Sequence, residues 1–253
     1  MFTKRSIVSV GLFAAGMLVG VVGLLLATQY SAAPPPAAKD DFRVWFQSVE
    51  NLKKLGLAMN QYADESGGRF PAPAIYSEDG KPLLSWRVML LPYLDQKSLY
   101  NMFHLDEPWD SPHNKALLKG MPEVYAPVIR KEGQPSGSTY YQSFVGRGAL
   151  FDGPTGTRQA DITDGASNTL AIVEGGSPVP WTKPMDLPFD PDKGKPLPQI
   201  GGQFTNRVFA CFADGSVQAL SHKIPLETLH ALITYDGQDV IEFDKLRAEG
   251  PIR

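Results

Sequence analysis

The side chains best equipped for chemistry lie in two acidic loops and one strand corner. In DITDGASN at 161–168, Asp161, Asp164 and Asn168 offer oxygen ligands of the kind calcium takes six to eight at a time. Their spacing does not match the twelve-residue helix–loop–helix pattern, and Asp164–Gly165 also reads as a turn capped by Asp161 or Ser167. These three residues are the candidate metal ligands and calcium the candidate ion. A second loop, DLPFDPD at 186–192, sets three carboxylates among prolines and reads as solvated rather than ligating. The four histidines, His104, His113, His222 and His230, have no metalloprotease spacing. Cys211, the one cysteine, sits in an apolar run with no basic neighbour to lower its pKa, which gives it the role of a small hydrophobe. There is no nucleophile elbow, phosphate loop or dinucleotide fingerprint. The chain therefore reads as a non-enzymatic protein.

The third feature is the stretch VFACFADGSVQALS at 208–221. Asp214–Gly215 between two β-prone apolar runs predicts a two-residue hairpin turn, with Phe212 facing Val217 and Ala210 facing Ala219.

These loops need elements to hold them. A helix is predicted from Asp41 to the Gly67–Gly68 stop, with a buried stripe of Phe42, Trp45, Phe46, Val49, Leu52, Leu55, Met59, Tyr62 and Ala63. Ser85 and Ser111 are expected to cap short helices, the second with Pro112 in its first position. Strands are predicted at 123–129, 139–145, 169–173, 207–213 and 217–221. A long loop with seven prolines is expected at 175–202, pinned to the core by Trp181, and a last helix at 226–233. Helices first and antiparallel strands later make an α+β domain over residues 41–253.

Ahead of it, residues 7–27 carry no charge, long enough to cross a bilayer, with Lys4 and Arg5 before them and Asp40 and Asp41 after. This predicts a single-pass anchor in residues 1–30 with the N-terminus in the cytoplasm and the domain outside. Cleavage after Ser31–Ala33 is the alternative. Residues 31–40 form a proline- and alanine-rich linker. A net charge of −3 argues against nucleic acid as a partner. With 24 glycines and 22 prolines, the composition is that of a loop-rich fold.

Six stretches in order carry a family resemblance: NLKKLGLAMNQY at 51–62 with GRFP at 68–71, LSWRVMLLPYL at 84–94, WDSPHN at 109–114, DITDGASNT at 161–169, VPWTKP at 179–184 and FADGSV at 212–217. Together they resemble the bacterial pilin-like envelope family known as domain of unknown function 1559. The resemblance implies a pseudopilin-like fold, a spine helix on an antiparallel sheet, in a cell-envelope protein that works through protein contacts or, alternatively, binds a solute. Family members carry a histidine ten residues before the Asp-Gly; here Phe204 stands there. The chain also lacks the prepilin processing sequence, so a fixed tether fits it better than a fibre subunit. Partner contacts are expected from the 175–202 loop.

Overall fold

The structure, a computed structural model, describes residues 42–192 and 194–238, together with 241 and 246. The apolar stretch at 7–27 and the linker at 31–40 lie outside the described residues. Among those described, no helix is long and apolar enough to cross a membrane.

In chain order come α1 (Phe42–Glu65), β1 (Ala74–Tyr76), β2 (Pro82–Ser85), α2 (Trp86–Met89), α3 (Lys97–Tyr100) and α4 (Pro112–Ala116). There follow β3 (Ser138–Gln142), β4 (Phe144–Val145), β5 (Leu170–Pro180), β6 (Leu187–Pro188), β7 (Arg207–Phe212), β8 (Val217–Ser221) and α5 (Leu226–Ile233). A four-stranded sheet has the order β3-β5-β7-β8, with every pairing antiparallel. The fold class is thus α+β, as predicted.

β7 is buried along its whole length, and its two faces feed different cores. Phe209 and Cys211 join the cluster built on Leu52, Leu55 and Met59 of α1. Val208, Ala210 and Phe212 join Leu229, Leu232 and Ile233 of α5. Alternation along a strand sorts one run of apolar residues into two layers, so helices cover both sides of the sheet.

α1 departs from its predicted stripe. Phe42 and Phe46 are exposed, while Ser48 and Asn51 are buried. The buried face is turned toward polar groups of the sheet, so apolar periodicity misplaces its first two turns. Gly56 marks the closest approach. A Cβ there would stand 2.5 Å from the Cys211 sulfur and 3.1 Å from the Gly215 Cα. Gly56→Ala gains about 1 kcal/mol of helix propensity, but overpacking a filled core costs about 1–3 kcal/mol. Net destabilisation is expected in a urea melt, with a smaller loss when Cys211→Ala is added.

Three strand expectations are corrected. Residues 123–129 form no strand. Glu123–Tyr125 is a single 3-10 turn between Pro122 and Pro127, and it buries Tyr125. The 169–173 strand runs on to Pro180, through what was expected to be loop. Its distal residues Val179 and Pro180 pair with β3, whereas the described pairing with β7 stops at Val173, so Pro180 removes no donor that the β7 ladder needs. The 139–145 strand is broken into β3 and β4.

The corner at Asp214–Gly215 has three loop residues rather than two. Cys211 pairs with Val217 and Ala210 with Gln218, one place off the expected register. Phe212 N donates to Ser216 O at 2.9 Å, and Gly215 N donates to Phe212 O at 2.9 Å. Only Gly215 takes a positive φ, 84°, as in a type I turn closed by a left-handed glycine. The Asp214 side chain caps Ser216 N at 2.9 Å, and Asn60 of α1 donates to Ala213 O at 3.2 Å. The corner is a structural joint.

Candidate functional site

The local sequence around α2 builds a charged anchor. Ser85 is its N-cap and accepts from Arg87 N. The same hydroxyl accepts from Arg87 Nη1 at 2.6 Å, which turns the guanidinium inward. There Arg87 Nε donates to Tyr141 O at 2.8 Å and Nη2 to Asp186 Oδ1 at 2.7 Å. Asp186 also accepts from Trp86 Nε1 at 3.1 Å and Ser143 N at 2.9 Å. The Arg87 and Asp186 side chains are 0% and 3% exposed. Burial pushes the Asp186 carboxyl up, and the guanidinium pulls against it. Three chain segments, 85–87, 141–143 and 186, meet on this pair.

The expectation that the 186–192 carboxylates are solvated therefore fails for Asp186. Its side chain is 3% exposed and taken up by protein donors. Asp190 pairs with Lys195, and Asp192 accepts from Gly194 N.

Trp181 pins the start of this loop, as predicted. It is fully buried, donates Nε1 to Leu118 O at 3.0 Å and stacks on Tyr125 with centroids 5.8 Å apart. Held at both points, the segment between them presents its outer side as one wall of an open groove of about 460 Å³. Pro184, Met185, Asp186 and Pro188 line it from this segment, and Tyr76, Pro82 and Val145 line it as well. Met185 is 47% exposed. The lining is mostly apolar, with Asp186 among it.

Asp161, Asp164 and Asn168 each have protein partners. Asp161 pairs with Arg158 at 3.1 and 3.2 Å, and that bond holds its carboxyl below the usual range. Asp164 accepts from Gly237 N and Gln238 N, both at 2.8 Å. Asn168 donates to Asp164 O at 2.7 Å. The loop is thus tied to the segment after α5. Among the described residues, no group of three or more His, Cys, Asp and Glu is arranged to hold a metal ion.

Two arrangements escape sequence reasoning. His104 and His113 stack in parallel at 3.6 Å, brought together by Asn114, which is buried and donates to the carbonyls of His104, Glu107 and Pro108. Parallel rings direct their in-plane lone pairs side by side, not onto one ion. The other is a buried polar network between α1 and the sheet. Glu174 accepts from Ser48 Oγ at 2.6 Å, Gln203 Nε2 at 3.0 Å and Phe209 N at 3.2 Å. Tyr141 OH lies 3.2 Å from Ser48 Oγ and accepts from Asn51 Nδ2 at 3.3 Å. Glu174 is closed to solvent, which leaves it no substrate to meet. Burial pushes the Cys211 thiol up to about 12, far from a nucleophile's range.

Residues 46–130, from α1 to just beyond Tyr125, match the family described as "Protein of unknown function (DUF1559)". No curated protein and no solved structure matches the chain. Phe204, where the resemblance expects a histidine, is buried and packs edge-on against Phe209 at 5.1 Å.

Proposed function

We propose that the protein is a non-enzymatic envelope protein, held in the cytoplasmic membrane by residues 7–27 and presenting a pilin-like domain outside for contact with another protein. The contact surface in this reading is the groove beside Met185. The observation that carries it is the anchoring of the 181–189 segment. A buried ion pair and a buried tryptophan fix a stretch whose exposed side is apolar, and rigid apolar surface of this kind is what recognition uses. The family match at 46–130 supports the envelope reading only through the resemblance, because the matched family has no assigned activity.

Met185→Glu tests the groove. Being a surface change, it is expected to shift stability by no more than about 0.5 kcal/mol while abolishing the complex on native gels of detergent-solubilised membranes. An unchanged complex contradicts the assignment. A calcium-binding role would require Asp161 and Asp164 to exchange Arg158 and the 237–238 backbone for the ion. A rise in Tm on adding calcium to the full chain would favour that role instead.

A further inference from the structure

The face of α1 left over by the core begins with two aromatics. Phe42 and Phe46 are 61% and 56% exposed, one helical turn apart, with ring centroids at 6.5 Å. They lie in the first turns of the helix, where the chain arrives from the linker. An exposed aromatic pair at that place calls for a partner.

The chain that precedes them narrows the choice. Fourteen residues, 28–41, separate Phe42 from the apolar stretch ending at Ala27. Fully extended as polyproline they reach about 45 Å, and as a flexible coil about 20 Å. The second figure is close to the radius expected of a domain of this size, about 20 Å. The length of chain thus bounds how far Phe42 can lie from the end of the apolar stretch. A tether this short supplies an effective concentration in the millimolar range, so a weak contact is enough. A second copy is a poorer fit. Two phenyl groups at this exposure offer about 250 Å², well short of the roughly 800 Å² per partner of a stable interface.

We infer that Phe42 and Phe46 insert into the lipid–water interface and seat the domain on the membrane with the first turns of α1 facing the lipid. This rests on the reading of residues 7–27 as an anchor. The same face carries Glu50, Lys53 and, three turns on, the exposed Leu57, and aromatic side chains at the end of such a mixed face bind at this depth. The consequence is orientation: the domain has a defined membrane-facing end rather than a free tumble on its stalk.

The test uses the full chain in lipid vesicles, with an environment-sensitive fluorophore on one introduced cysteine. Native Cys211 is fully buried, with a thiol that resists deprotonation, so it does not compete for label. Labels are placed at 18 (Leu18→Cys), 46 (Phe46→Cys) and 223 (Lys223→Cys), and brominated lipids serve as quenchers. Emission at 18 and 46 is expected to fall by about half or more with none lost at 223. Adding Phe42→Asp is expected to abolish quenching at 46 but not at 18. Quenching at 18 without quenching at 46 overturns the inference and leaves the anchor intact. No quenching at either position overturns both. Shielding at 46 that grows with protein density and ignores bromine would assign the face to a second copy.

Discussion

Asp186→Ala is expected to lower stability by about 3–5 kcal/mol, because it leaves the Arg87 guanidinium buried beside an empty carboxylate site. For a domain of this length that corresponds to a fall in Tm on the order of 10 °C. The loss has a named origin. Arg87 Nη2 and Trp86 Nε1 both donate to the missing oxygen, and no solvent reaches them to compensate. Asp186→Asn keeps the shape and an acceptor, so a smaller loss is expected. The double change Arg87→Met with Asp186→Leu, which removes both charges, is expected to recover much of it. A Tm within one or two degrees of wild type for Asp186→Ala would show that the pair is not the anchor of the groove wall.

The second large effect is a pH dependence centred on Glu174. Burial raises its carboxyl from 4.5 to about 7, against the opposing pull of Ser48, the Phe209 amide and Gln203. The folded state therefore holds a proton that the unfolded chain has already released. Stability from this group is fully present below about pH 4.5 and is lost as pH rises through 7, about 3 kcal/mol in all. Asp161, Asp190 and Glu107 shift the other way, below their usual values, so they act at more acidic pH. Unfolding free energy measured from pH 5 to pH 8 is expected to decline for the wild type. Glu174→Gln is expected to flatten the curve at a constant cost, since one end of its amide must face a donor. A flat wild-type curve would mean that Glu174 is ionised in the fold.

Where the sequence states its instruction locally, the structure follows it. Ser85 and the Ser111–Pro112 pair cap their helices, α5 starts after Pro225, and Asp214–Gly215 turns a corner. Turn length is less local. Whether two or three residues close the hairpin depends on Asn60, Thr169 and Ala166, which bond to the loop from elsewhere in the chain. The polar face of α1 was hidden for the same reason. Ser48 and Asn51 are buried because Glu174 and Tyr141 meet them from strands about a hundred residues on, and a count of apolar periods sees neither. Asp186 looked like one carboxylate among prolines, since its partner Arg87 lies 99 positions earlier. Seven prolines argue for a loop at 175–202, and only the strand order reveals that Pro180 sits where β5 pairs with β3 alone. The groove was therefore illegible as a place, although the loop that forms one wall of it was singled out.

What touches Met185 in the living cell decides whether the groove is a contact surface. A photoreactive residue placed at 185 is expected to give one discrete adduct with another protein, absent when it is placed at Lys223 on the exposed turn before α5. No adduct at 185, or the same adducts from both positions, would contradict the claim that this groove is where the protein works.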